Sequence, residues 1–301
     1  METPLYCVAR AAVSLMGVIP LAWVARLGRW CGGAAFYLDR SHRRVALENL
    51  QHVFGQEKTT AEIYEIALEN FCRIGENYLS ALRTSRMSNE EALQYCEVVG
   101  LEKLIPKAGE PVQENRVIAI GHFGNFELYT LLAAELKGYQ GVATYRGLRQ
   151  PSLNRVLQDT RNRSGCLFFE RRTDAAKLKA ILNRDGIILG LLADQHAGRG
   201  GLWLPFLGKE CSTSAAPAVL SLRYRCPLFT AVIYRVGLGR WRAEVGEEIP
   251  TRINGVARTS SEITLNMNRV FEHAVRRDPA NWFWVHKRWK PRSQPSEPLE
   301  N

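Results

Sequence analysis

One stretch of the chain could do chemistry on residue types alone: Gly121-His-Phe-Gly-Asn-Phe-Glu127. It sets an imidazole and a carboxylate five residues apart. Within one regular helix that separation turns the second side chain roughly 500°, which leaves the two about 140° apart around the axis. They meet only if His122 lies in the turn before a helix and Glu127 in its first turn, and Gly121 and Gly124 permit so tight a turn. A carboxylate beside an imidazole fixes its tautomer and raises its basicity, which is what a general base at neutral pH requires. The free N–H groups of the helix start could also hold a phosphate or an oxyanion. Asp194, at the end of another apolar run, is the second acid that could orient His122.

The signatures of other chemistries are missing. No G-x-S-x-G is present, which argues against a serine hydrolase of the common α/β type. Gly208-Lys209 does not close a P-loop, because Trp203 stands where the first glycine belongs and Glu210 where Ser or Thr belongs. No G-x-G-x-x-G follows a strand, and H-E-x-x-H is absent. Histidine chemistry without a protein nucleophile or a metal remains.

The elements that must carry these residues follow from hydrophobic spacing. Residues 41–82 recur at threes and fours and predict helix, as do 153–163, 175–182, 215–224 and 259–275. A further helix begins at Asn89 and ends near the Val98-Val-Gly100 turn. Another follows Phe126 through Leu128, Leu131, Leu132 and Leu136. Short, β-branched runs at 117–120, 141–145, 166–169, 186–193, 227–235 and 240–247 predict strands. Their alternation predicts an α/β fold with a mixed, mostly parallel central sheet covered by helices. Working sites of such sheets lie beyond the carboxyl ends of the strands. Three such loops carry polar residues: 121–127, 145–149 and 194–201.

The chain has 301 residues and a net charge of +10, with 31 arginines against 9 lysines. That surplus suits an anionic partner, and arginine grips phosphate with a fixed fork. Seven arginines fall between 144 and 172 against Asp159 and Glu170. Of these, Arg155, Arg163 and Arg172 read as a solvated helix face. Basic residues are not interleaved with aromatics in a nucleic-acid-binding pattern, so no nucleic-acid partner is expected. The seven cysteines are odd in number, and none forms a C-x-x-C pair, which points to a reducing compartment. His196 reads as a surface-loop residue, and Ser212-Thr213-Ser214 as a cap for the next helix.

Fifteen uncharged residues, 11–25, are broken by Gly17 and Pro20. That is short of the roughly 20 apolar residues a spanning helix needs. No small-x-small cleavage site follows, so a signal peptide is a poor reading. A buried helix pair and a membrane-seated anchor both fit, and the flanking arginines with Trp23, Trp30 and Tyr37 favour the anchor. The expected organisation is an anchoring helical segment at 1–45, a main domain at 46–292 and a flexible tail at 293–301.

The heptapeptide 121–127 resembles the His-x4-Glu/Asp motif of membrane lipid acyltransferases, in the GHxGNxE form of bacterial lipid A biosynthesis acyltransferases. Further blocks are similar in the same order: Tyr145-Arg146, Asn154 and Arg161-x-Arg163-x-Gly165; Asp194-Gln195; Gly201-Leu-Trp-Leu-Pro-Phe-Leu-Gly208 with Thr213; and Trp284-x-His286-x-Arg288-Trp289-Lys290. The likeness runs from about residue 20 to 292. Phe126 departs from the Trp of many members, and Leu207 from the second Phe of a PFFG block.

The resemblance implies a glycerol-3-phosphate acyltransferase-like fold on the cytoplasmic face of a bacterial inner membrane. It implies transfer of a fatty acyl chain from a thioester, on acyl carrier protein or coenzyme A, to a hydroxyl of a lipid A precursor, without a cofactor or metal. The expected partners are a membrane lipid acceptor, acyl carrier protein and an anionic membrane surface. A phosphatidylinositol mannoside, a lysophospholipid or another polar lipid is the alternative acceptor. His122 is then the general base, oriented by Glu127, while Asn125, Arg146, Arg161, Asp194 and Gln195 bind substrate, with Arg146 and Arg161 near phosphate or the developing oxyanion. The apolar stretch 200–208 is either core or a wall of the acyl-chain groove.

Overall fold

A computed structural model describes residues 3–105, 114–130, 136 and 138–292. The expected tail at 293–301 and the helix positions Leu131 and Leu132 lie outside the described residues. A seven-stranded sheet forms the centre, in the order β1 (Cys96–Val99), β9 (Arg240–Val245), β8 (Leu228–Gly237), β2 (Arg116–Ile120), β5 (Ile187–Leu192), β3 (Gln140–Tyr145), β4 (Leu167–Glu170). All neighbours are parallel except the β8–β9 hairpin, so the mixed, mostly parallel α/β sheet is as expected. Strand β2 is buried at every position, as suits a central parallel strand covered on both faces.

Alternation along the strands divides the apolar residues between the two faces. Val117, Ala119, Leu189 and Leu191 join the main core with Phe71 of α4 (Thr60–Thr84), Ala218 of α8 (Ala216–Tyr224) and Phe271 of α9 (Ser260–Arg277). Ile118, Ile120, Ile188 and Ala231 face the other way. Helices α4 and α9 each start with a capping box, Thr59 with Glu62 and Thr259 with Glu262, which satisfies the free N–H groups of the first turn.

The amino-terminal segment is helical: α1 (Pro4–Met16), α2 (Leu21–Leu38) and α3 (Arg40–Phe54). Helices α2 and α4 cross with their backbones touching. A Cβ at Gly32 would lie 2.1 Å from the Phe71 carbonyl oxygen, and one at Gly75 2.1 Å from that of Gly28. Among the described residues no helix is long and apolar enough to cross a membrane.

Three local expectations are corrected. The helical stretch 41–82 is two helices, broken after Gly55. The helix from Asn89 stops at Leu93, and the following residues form edge strand β1, aligned parallel to β9 from Cys96 opposite Trp241. The apolar stretch 200–208 is not a loop but most of a hairpin, β6 (Leu202–Phe206) with β7 (Lys209–Thr213). Its turn residues Leu207 and Gly208 both have positive φ, as a tight two-residue turn demands. Phe206 and Leu207 are buried in the main core, so this hairpin is core packing rather than groove.

Candidate active site

The site forms where β2 and β5 end side by side. Their register pairs Ile120 with Leu192, and the Ala193 N–H continues the ladder to the Ile120 carbonyl. Two residues further on, the same register sets His122 opposite Asp194. The His122 ring Nδ1 is 2.7 Å from Asp194 Oδ1, and the His122 backbone N–H donates to Oδ2 at 2.9 Å. The Trp282 indole N–H donates to the same oxygen at 2.8 Å.

Burial alone would raise the Asp194 carboxyl. The neighbouring imidazole and three hydrogen bonds outweigh it and hold the group at about 2. As a carboxylate, Asp194 can only accept, so Nδ1 carries the proton, and in the neutral ring Nε2 is the nitrogen with the free lone pair. Phe126 and Phe283 flank the ring at 5.0 and 5.8 Å between centroids.

Trp282 is placed by a chain of contacts from the helical layer. Asn70 of α4 donates its amide to the carbonyls of Ala280 and Trp282, and Asn281 donates to the Ile233 carbonyl of β8. Phe123 forms a bridge with Trp282, and Gly124, at φ +52°, lies so close to β8 that a Cβ there would be 2.7 Å from the Ile233 carbonyl oxygen. Glycine at 124 is required by both conformation and space.

His122 opens onto a cavity of about 1120 Å³. Part of its lining is one face of the sheet, with Ile118, Ile120, Ile188 and Leu192 as its floor and the small Gly190, Ala231 and Ala243 beside them. Arg163 lines the cavity ahead of β4, while beyond the carboxyl ends of the strands the wall is polar and cationic, with Arg146, Arg161, Arg171, Gln195 and Lys290. Glu127 lies at this polar end. Its carboxylate receives a two-pronged grip from Arg161, at 2.6 and 3.2 Å. Arg161 is itself held between the rings of Phe168 and Tyr145.

The chain matches the family model described as "Bacterial lipid A biosynthesis acyltransferase" over residues 4–291. The chain belongs to that family. It is 21% identical to the lipid A biosynthesis lauroyltransferase of Escherichia coli K12 over 281 residues, covering 92% of this chain and 88% of that protein. It is 23% identical over 280 residues to the palmitoleoyltransferase of the same organism and to the lipid A biosynthesis acyltransferase of Shigella flexneri, covering 91% of this chain and 87% of each.

In this lipid A family acyltransferase the expected site residues are distributed unevenly. His122, Glu127, Arg146, Arg161 and Gln195 share the large cavity. Glu127 does not orient His122; that position is filled by Asp194, because strand register brings together residues 72 apart whereas Glu127 is drawn to Arg161. Asp194, expected to bind substrate, is fully enclosed behind the histidine. Asn125 is also buried, and it lines an adjoining small cavity of about 20 Å³ that shares His122, Phe126 and Glu127 with the large one.

Arg163, read as a solvated residue, lines the large cavity, and Arg155 stacks over Tyr6 of α1. Ser212 and Thr213 are strand residues bound elsewhere: Ser212 donates to the Gly198 carbonyl, and the Thr213 hydroxyl accepts from buried Arg288. Only Ser214 contributes to the helix start, accepting from the Ala216 N–H. His196 belongs to the cavity wall. Among the residues that build the site without an assigned role in the sequence are Trp282 and His286. His286 stood in the Trp284–Lys290 block, which was its only signal.

Proposed function

We propose that this acyltransferase moves a fatty acyl chain from the thioester of acyl carrier protein to a hydroxyl of a lipid A precursor, at a membrane surface. The observation that carries the reading is the His122–Asp194 pair at the junction of an apolar slot and a cationic mouth. His122 Nε2 takes the proton of the acceptor hydroxyl as its oxygen attacks the thioester carbonyl carbon. The tetrahedral oxyanion collapses, the C–S bond breaks, and the departing thiolate takes the proton back from Nε2. Both substrates are held together, so transfer is direct and no acyl-enzyme is required.

The acyl chain lies along the sheet face, past Gly190 and Ala231. The acceptor's phosphates meet Arg146, Arg171 and Lys290, which make no ion pairs among the described residues. Glu127 keeps Arg161 extended across the same mouth.

Membrane seating is supported by α1 and α2. On α2, Leu21, Val24, Ala25, Gly28 and Phe36 are buried against the protein, while Trp23, Leu27 and Trp30 form an exposed apolar stripe at helical spacing. On α1, Val8 and Leu15 are exposed as well. A helix apolar on both faces calls for an apolar cover, and the amino-terminal arginines suit anionic headgroups at the cytoplasmic face of the inner membrane.

The decisive experiment is lipid mass spectrometry of a strain lacking the gene, followed by transfer with purified protein. One acyl chain missing from lipid A, restored by wild type and not by His122→Ala, is the expected result. An unchanged lipid A with a different lipid lacking a chain would assign another acceptor.

A further inference from the structure

A general base explains how the acceptor is activated but leaves the carbonyl oxygen of the thioester without a partner as it gains charge. His286 lies in the cavity wall with His122. Its Nε2 accepts the backbone N–H of His196 at 3.0 Å. A nitrogen that accepts carries no proton, so the neutral ring holds its proton on Nδ1. Nδ1 has no hydrogen-bond partner among the described residues, and the ring is part of the cavity wall that also holds His122.

The ring is fixed from both sides in the chain: Asn49 of α3 donates to the His286 carbonyl, and Arg288, fully buried, anchors the next turn on Ser212 and Thr213. We infer that His286 Nδ1–H is the hydrogen-bond donor that stabilises the oxyanion formed on the thioester carbonyl. This deepens the proposed acyl transfer and rests on it.

The ring's charge state suits that task. Burial, aided by Lys290, Arg288 and His122 and opposed by Asp194, pushes His286 down to about 4. At neutral pH it is therefore a neutral donor that keeps its proton, next to a base that must exchange one. Donors already aimed at the developing charge need no reorganisation during the reaction. No bond to His286 forms or breaks; its hydrogen bond to the oxygen tightens as the C=O electrons move onto that oxygen and relaxes when the C–S bond breaks.

The test compares wild type, His286→Leu, His286→Phe and His286→Gln in single-turnover transfer to a lipid A precursor. The donors are the dodecanoyl thioester of acyl carrier protein and the matched dithioester, whose C=S accepts hydrogen bonds poorly. Gln can accept from the His196 N–H and still donate; Leu and Phe cannot. Thermal unfolding of each variant identifies any that fail to fold, and Phe keeps the ring volume should Leu fail. The expected result is a kcat lower by about 10²-fold in Leu and Phe with KM little changed, the size seen for loss of one oxyanion donor.

The thioester-to-dithioester rate ratio should collapse in Leu and Phe and be largely kept in Gln. Folded Leu or Phe variants with wild-type kcat, or with the wild-type ratio, overturn the inference, as does a Gln variant no better than Leu. A wild type that transfers no acyl chain overturns the proposed function itself; an active wild type with unaffected variants overturns the role of His286 alone.

Discussion

Two carboxylates in this protein are enclosed almost equally and do different work. Asp194 accepts from the His122 backbone N–H, the His122 ring and the Trp282 indole. Glu76, on α4, accepts from the Gly239 backbone N–H at 2.8 Å and from the guanidinium groups of Arg235 at 2.8 Å and Arg29 at 3.3 Å. Each has three donors, one of them backbone. The difference lies in the partners. Arginine cannot release its proton, so the Glu76 cluster is a permanent ionic clasp, and it ties α2, α4 and the β8–β9 hairpin together. Histidine can, and the His122 ring opens onto a cavity. Enclosure by itself does not mark function; a titratable partner with access to a ligand does.

Breaking each cluster should therefore be read in different instruments. His122→Ala should lower kcat about 10³-fold or more, the size expected for loss of a general base, with thermal unfolding near wild type. Asp194→Asn should lose nearly as much, since an amide in that place can donate to Nδ1 and turn the ring to the wrong tautomer. Single-turnover acyl transfer measures both. A wild-type rate in Asp194→Asn would remove the pairing from the mechanism.

Glu76→Ala should do the reverse. It leaves Arg29 and Arg235 short of a buried counter-charge, which costs about 3–5 kcal/mol in urea unfolding. The rate per folded molecule should change little. A catalytic collapse without loss of stability would mean that the clasp acts on the site directly rather than through α4 and the segment that carries Trp282.

Glu127→Gln sits between these extremes. Glutamine is close in size but cannot charge-balance Arg161, so the guanidinium loses its fixed extension across the mouth. The apparent affinity for the lipid acceptor should fall by about 10-fold, with kcat at saturating acceptor reduced less, on the scale of one charge-assisted contact. A loss of kcat as deep as that of His122→Ala would return the orienting role to Glu127.

The sequence made the two halves of the dyad visible but not their pairing. Both strands were legible because 117–120 and 187–192 are unbroken apolar runs, and a polar residue just past each run stood out. Which carboxylate met the histidine depended on register between chain segments 72 residues apart, and spacing arguments reach only about a turn. Glu127 was the nearest acid, and it was taken by Arg161, whose position on α6 (Pro151–Arg161) is again set by tertiary packing. Strand β1 escaped because four residues at a sheet edge, with Glu97 and Val99 exposed, have no buried period to read. The large cavity escaped for a similar reason. It is made by one face of residues that looked like ordinary core, with the small Gly190, Ala231 and Ala243 among its lining.

The smallest effect expected concerns acid, and it contrasts His286 with Asp194. Its folded value of about 4 lies below the ordinary imidazole value near 6.5. Between those pH values the unfolded chain binds a proton that the folded chain does not, so stability falls as pH drops through this window. The ring is only partly enclosed, which limits the cost to about 1 kcal/mol between pH 8 and pH 5. Asp194 has the opposite sign of shift and acts elsewhere: its contribution persists until pH falls below about 4, toward its folded value of about 2. His286→Gln should flatten the urea-unfolding profile between pH 8 and pH 5 by about that amount, leaving a residual slope from His52 and His196, which burial also pushes down. An unchanged slope would mean that the His286 ring takes up its proton in the folded protein as readily as in the unfolded chain, and a neutral Nδ1–H donor at the thioester carbonyl would then hold only at higher pH.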